Sequence, residues 1–480
     1  MGGKIGAHGG KFATGCRASE VSSCSEGGTS GGPTDTEGAQ VSPTRQTRSA
    51  KQEEPADGPP VRGSIGFGQA VALYVGAVLG AGVLVLPGQA ASMAGPASLL
   101  SWLFMGLLGL PLAMTFAALA TRYPDAGGVA TYATRAFGRT AGGLAGWWYF
   151  VAGSIGQTIV PLTGGYYVAT ALHVDQSYAF LVAAVILALA IGANLAGLRL
   201  SGRVQLGLAG GVALLLLAAV LTALPHAEAS EFTDFAPHGM TGVGQAAVAL
   251  FFAFAGWEAV AHLSGEFRDV RRDLTRATVT TVVVVVVLYL GVSFAVVSTG
   301  TYGDPELDRI AVGRVLGAGL GFSATVTAAV LATLISLGTT NAFIASVSRL
   351  GYALGRDGWL PAPVGRVNAR GVPVAGVLIV GGIGAAGLLL GHLGGWGTED
   401  IVGIPSSLVL VTYLIGTAAG TRLLKGRARV HAVTALTLTA LVAPFASAYI
   451  FVPVIVAVVA LIYRWATVRT GREDASETTE

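Results

Sequence analysis

Charge is what this chain has least of: 11% of its 480 residues are Asp, Glu, Lys or Arg, against 52% that are hydrophobic. Soluble domains carry about twice that charge fraction, so a soluble globular protein is excluded. Cysteine is almost missing as well. Cys16 and Cys24 are the only two, and both lie in a polar stretch ahead of the first apolar run. No disulfide framework can therefore hold the apolar part together, and a cysteine pair in a reducing tail reads as a bystander rather than a redox or metal site. The apolar part also lacks a nucleophile–base pair and any cluster of metal-ligating side chains, which argues against a membrane enzyme and a metal centre. No apolar signal-peptide core precedes Ile65, so the polar stretch before it is expected to stay on the chain, in the cytoplasm.

What the chain has in abundance is apolar length and glycine. The mean hydropathy is +0.66, and the 70 glycines suit helices that pack closely in lipid, where backbone approach takes the place of the hydrophobic effect. Runs of roughly 17–25 apolar residues mark membrane spans. Twelve such runs fall near 66–92, 97–120, 141–172, 178–197, 204–224, 242–264, 277–299, 319–347, 373–392, 401–421, 430–447 and 449–465. The last two form a tight hairpin at Pro444 and Phe445.

Positive charge tests that count, because Lys and Arg collect in cytoplasmic loops. With the amino terminus inside, 27 of the 29 fall in the tails or in inner loops, and only Arg309 and Arg314 do not. An even number of spans with both termini cytoplasmic follows. Residues 1–63 are a different material, rich in Gly, Ser, Thr and Pro with scattered charge, and are expected to be disordered. Residues 64–466 form the membrane domain, and 467–480 read as a second polar cytoplasmic tail.

Two spans are broken at their middle by glycine: Gly80-Ala81-Gly82-Val83 with Pro87, and Phe254-Ala255-Gly256-Trp257-Glu258. Backbone in hydrocarbon must find partners inside the protein, so a spanning helix is interrupted only where the loosened chain lines a cavity or a site. A pair of such breaks in corresponding halves points to a transporter's substrate. At the first break, amides at the start of the second half-helix can hold a carboxylate without an arginine. Helix packing alone would also use Gly-x-Gly, although Pro87 and Gly88 on the same segment favour the break.

The second break carries Glu258, the one acid inside a span away from its ends. A carboxyl there is costly and points to function. Two roles fit it: taking up and releasing a proton in each cycle, or standing neutral as a hydrogen-bonding group. His262 lies one turn on and Glu266 beside Arg268; two such ligands are too few for a metal. Gln157, beside Gly156, can reach a substrate or bond a neighbouring helix. Asn341 reads as a brace, and Phe343 as either a lid over substrate or packing.

These stretches, together with Arg122-Tyr123-Pro124-Asp125-Ala126-Gly127-Gly128 through Ala136-Phe137-Gly138 and Ser348-Arg349-Leu350 through Arg356-Asp357-Gly358-Trp359-Leu360-Pro361, resemble the amino acid–polyamine–organocation permease superfamily from about residue 64 to the end. Glu258-Ala259-Val260-Ala261-His262-Leu263, with Glu266-Phe267 and Arg276-Ala277, resembles its bacterial exporters of methionine and branched-chain amino acids. The resemblance implies an all-α integral membrane fold of twelve helices, with a LeuT-like five-plus-five inverted repeat and two extra helices at the end. It places the substrate carboxylate at Gly80, Ala81 and Gly82. The ammonium then meets carbonyls near Val78, Phe252 and Ala255 ahead of Gly256, and selectivity comes from Ala253, Phe254, Gln157 and Phe343.

No Arg, Lys or Asp stands there to pair with a charged side chain, so a neutral, apolar amino acid is favoured. Some relatives carry a lysine in the fifth helix at a sodium position; span 204–224 has none, which removes that route. Hydroxyls such as Ser336 and Thr339 leave a sodium route open, and coupling to protons through Glu258, or exchange, is preferred. The expected function is secondary transport of neutral amino acids across the cell membrane by alternating access, with export favoured over import. The expected partners are an amino acid, protons and membrane lipids, with no cofactor, metal or nucleic acid, and a homodimer is left open. The alternative from another class is a transporter-like membrane sensor with the tail as its output.

Overall fold

The computed structural model describes residues 67, 71, 75, 78–123, 127–197, 202–257 and 270–477; the cysteine-bearing tail, Glu258, His262 and Glu266 lie outside them. All are in one unit, Pro60–Glu480. Among the described residues every regular element is helical. In chain order these are α1 (Leu86–Ala94), α2 (Ser98–Arg122), α3 (Val129–Phe137), α4 (Arg139–Ala171), α5 (Tyr178–Leu195), α6 (Gly202–Ala223), α7 (Gly239–Leu250) and α8 (Val270–Ser298). They continue with α9 (Pro305–Asp308), α10 (Ala311–Leu320), α11 (Phe322–Arg356), α12 (Val374–Gly394), α13 (Thr398–Ile401), α14 (Gly403–Leu423), α15 (Gly426–Val442) and α16 (Phe451–Glu477).

Eight helical segments among the described residues are long and apolar enough to cross a membrane. The difference from twelve apolar runs has local causes. Runs 66–92 and 242–264 are the broken ones, and each lies partly outside the described residues. The rest of the first merges with α2 into the continuous stretch Leu86–Arg122. Run 141–172 is the long helix α4, whose glycines and Trp147, Trp148, Tyr149, Tyr166 and Tyr167 dilute its hydropathy. The last run appears as a shorter apolar helix, Phe451–Thr467.

The frame is built on α4 and α11, the most extensive helix pair, with α5, α12 and α14 also packed on α4. Small residues set the distance between the two: a Cβ on Gly153 would come within 2.5 Å of Val347, and one on Gly351 within 2.7 Å of Phe150. That is the close approach small residues permit in lipid. Between α5 and α11, Asn194 donates from Nδ2 to Asn341 Oδ1 at 2.8 Å and to its carbonyl at 3.1 Å. The amide pair is buried and braces the helices, as expected of Asn341.

Candidate functional site

The first break lies just ahead of α1. The Leu79 amide still makes a helical bond to Val75 O (2.7 Å), but Gly80 N turns back to Val78 O (2.8 Å), and Gly80 is extended (φ −81°, ψ 179°). A 3-10 turn, Ala81–Leu84, follows. α1 then opens with Pro87 in its first turn, where the missing N–H costs nothing. The extended φ of Gly80 is open to any residue, and space presses only on Gly82. A Cβ on Gly80 would lie 3.4 Å from Thr339 Cγ2, and one on Gly82 would lie 3.3 Å from the Phe252 ring.

The second break follows α7. Phe251 and Phe252 make tight bonds back to Val248 and Ala249, and Phe254 N reaches Leu250 O at 3.0 Å. From there to Trp257 the chain runs in irregular turns. Gly256 has φ +124°, a conformation that side chains other than glycine's adopt only under strain.

The carbonyls freed by both breaks are taken up by buried tyrosines on neighbouring helices. Tyr289 of α8 donates to Val78 O at 2.9 Å with Ala253 O 3.4 Å away, so one hydroxyl ties the two breaks together. Tyr167 of α4 donates to Leu84 O (2.9 Å), and Tyr413 of α14 to Phe254 O (3.3 Å). This meets the demand that buried backbone groups be paired. Sequence reasoning passed over these tyrosines. The available signal was Tyr289 itself, the one tyrosine of α8, just after its valine run.

Two adjoining cavities open between the breaks. Val78, Gly80, Ala81, Gly82 and Ala253 line the first, together with Tyr289 and Thr339. Gln157 lines the second with Tyr149, Gly153, Gly156, Pro405 and Val409. Phe252, Ala255, Phe343 and Val160 line both. The Phe252 ring faces Gly82 on one side and Gly156 on the other, each within 3.3 Å of where a Cβ would stand. It therefore fills the passage between the cavities. Gln157 donates from Nε2 to Gly153 O at 2.9 Å, which fixes the amide's orientation, and its buried Oε1 has no partner among the described residues. Among the described residues no Arg, Lys, Asp or Glu lines either cavity.

Two of the expected residues stand apart. Phe254 is fully buried and packs edge-on against Tyr289 (5.3 Å between centroids) and beside Trp102 (6.2 Å), lining neither cavity. Gly256 likewise lines neither.

Beyond α1 the cluster turns polar. Gln89 donates to Thr398 of α13 at 2.8 Å, and Arg309 pairs with Glu399 through Nε at 3.1 and 3.2 Å. The same guanidinium lies 5.0 Å from the centroid of the Tyr166 ring. Ser92 donates to Asp308 Oδ2 at 2.5 Å.

Comparison with known proteins places this geometry. The family described as amino acid permease matches residues 65–474. The uncharacterized amino acid permease YecA of Bacillus subtilis (strain 168) is 33% identical over 77% of this chain and 87% of its own length. The L-methionine/branched-chain amino acid exporter YjeH of Escherichia coli (strain K12) is 27% identical over 77% of this chain and 88% of its own. Among solved structures, MhsT in complex with L-phenylalanine shares the fold with a TM-score of 0.58 at 14% identity, covering 80% of this chain and 98% of that one.

Proposed function

The chain belongs to the amino acid permease family, a family of multi-pass membrane transporters, and from that premise we propose that it carries neutral, mainly apolar amino acids by alternating access, working as an exporter. The observation that carries this reading is the meeting of two loosened backbones at one cavity, lined among the described residues by no charged side chain. The substrate carboxylate sits at the Ala81 and Gly82 amides, where the following half-helix contributes partial positive charge. The ammonium sits against carbonyls at Val78, Phe252 and Ala255. Val78 O already accepts from Gly80 N and from Tyr289, so the ammonium must take the place of one of those donors there or rest on the Phe252 and Ala255 carbonyls. An apolar side chain then lies along Phe252 and Phe343 toward Gln157.

In this reading the twelve spans carry a five-plus-five inverted repeat, and each break lies in the first helix of its repeat. Both termini are cytoplasmic, residues 1–63 form a separate tail, and Glu258 is the group that takes up a proton. Similarity to a methionine and branched-chain exporter supports the substrate class and the direction, and the lack of charged side chains among the described cavity residues supports the substrate class. Purified protein in liposomes, loaded with unlabelled leucine or methionine and supplied with the labelled form, should exchange the two. No flux of any amino acid in either direction would sink the reading, and flux indifferent to pH in Glu258→Gln and wild type alike would remove the proton.

A further inference from the structure

α1 is short, and its two ends do different things. One end follows directly on the 3-10 turn that carries the Ala81 and Gly82 amides of the cavity. The other is docked on Asp308 by two residues one turn apart, which share a helix face. At Gly88 the helix backbone is so close that a Cβ would stand 2.5 Å from Asp308 O. At Ser92 the hydroxyl reaches the carboxyl of the same residue. Gly303 N closes the cluster, donating to Ser92 Oγ at 2.9 Å and to Asp308 Oδ1 at 3.1 Å. Asp308 is 5% exposed, and no basic side chain is bonded to it among the described residues.

We infer that Asp308 is a protonatable latch for the far end of α1, so that holding α1 in this arrangement and taking up a proton at Asp308 are one event. The inference rests on the transport reading above, with α1 taken as an element that moves when the site changes sides. A carboxyl buried without a cation favours its neutral form. Ser92 serves either state, since a hydroxyl can donate to the carboxylate or accept from the protonated acid. Releasing α1 exposes Asp308 to water, where the proton leaves.

The surroundings agree. Burial, then the negative charges of Glu399 and Asp304, push the Asp308 carboxyl up to about 6 against the pull of the Ser92 and Gly303 hydrogen bonds. α1 brings no charged side chain to it. Arg309, the next residue, is spent on Glu399 of α13 and on the Tyr166 ring. Asp400 of α13 accepts from Gly397 N, Glu306 of α9 and Arg314 of α10 are exposed, and Glu231 and Asp234 act on Tyr302. The sign follows. The docked arrangement has the raised value, so it binds the extra proton, gains as pH falls through about 6 toward the ordinary carboxylate range near 4, and loses that gain as pH rises.

The test compares wild type with Asp308→Asn and Ser92→Ala in the full-length protein. Without substrate, melting temperature is followed from about pH 4 to about pH 8. Wild type and Asp308→Asn should coincide at the acid end, and the neutral variant should melt higher, by about 2–5 °C, at the alkaline end. Parallel profiles overturn the latch. Ser92→Ala removes a bond that lowers the carboxyl's proton affinity, so its midpoint should move to higher pH; an unmoved midpoint overturns the latch even where Asp308→Asn fails to fold. In liposomes at equal pH on both sides, leucine exchange by Asp308→Asn should depend less on pH than that of wild type, and an equal dependence overturns the latch. Absence of flux in wild type would fail the transport reading, while the melting profiles would still decide the latch.

Discussion

The two glycine-bearing breaks look alike as sequence and differ as structure. At the first, Gly80 has an extended backbone open to any residue, and Gly82 is held small by the Phe252 ring at 3.3 Å. At the second, Gly256 has a φ of +124°. One break uses glycine for room and the other for conformation. Crowding can be relieved by trimming a neighbour, whereas backbone strain stays with the residue that suffers it. The two breaks should therefore answer differently to the same substitution.

The largest effect is expected at Gly256. Gly256→Ala forces a side chain into a strained φ at a cost of about 1–3 kcal/mol. Leucine exchange should fall by more than tenfold, and no neighbouring truncation should restore it. Tyr289→Phe comes next. It keeps the ring against Trp102 and Phe254 but takes from Val78 O one of its two donors, leaving Gly80 N, a loss of about 0.5–1.5 kcal/mol for one hydrogen bond. Weaker substrate affinity, with melting temperature lowered by a few degrees, should be measured in binding and thermal assays; an unchanged affinity would mean that Tyr289 does not hold the two breaks together.

Gly82→Ala is expected to be milder. The methyl presses on Phe252, so exchange should drop several-fold, and the double variant with Phe252→Ala should recover part of the loss by giving the methyl room. Failure of that rescue would place Gly82 with Gly256 and erase the distinction. Gly80→Ala should be the smallest. Its Cβ would make an ordinary contact with Thr339 at 3.4 Å, and exchange within about twofold of wild type is expected, in keeping with a cost under about 0.5 kcal/mol.

How much of this was legible beforehand follows from what sequence records. The breaks were visible because glycine and proline interrupt apolar runs, and the cavity lies between them with Val78, Ala253, Ala255, Phe252, Phe343 and Gln157 on its walls. The different reasons for Gly82 and Gly256 were not visible, since a neighbour from another helix and a backbone angle leave no mark on composition. The same holds for the tyrosines. Tyr167, Tyr289 and Tyr413 read as ordinary aromatic residues until distant carbonyls are seen at their hydroxyls. Phe254, expected beside substrate, sits one residue from cavity-lining Ala253 and Ala255 yet points into the Trp102–Tyr289 cluster. In irregular turns the direction of a side chain cannot be read from its spacing. Asp308 passed unremarked because a loop acid looks solvated until Gly88 and Ser92 are found against it.

The central claim is that the loosened backbone of the first break holds the substrate carboxylate. An experimental structure of the protein with bound leucine tests it most directly. The account predicts carboxylate oxygens within hydrogen-bonding distance of the Ala81 and Gly82 amides, with the side chain along Phe252. A carboxylate paired to a side-chain cation, or a substrate seated away from both breaks, would contradict it.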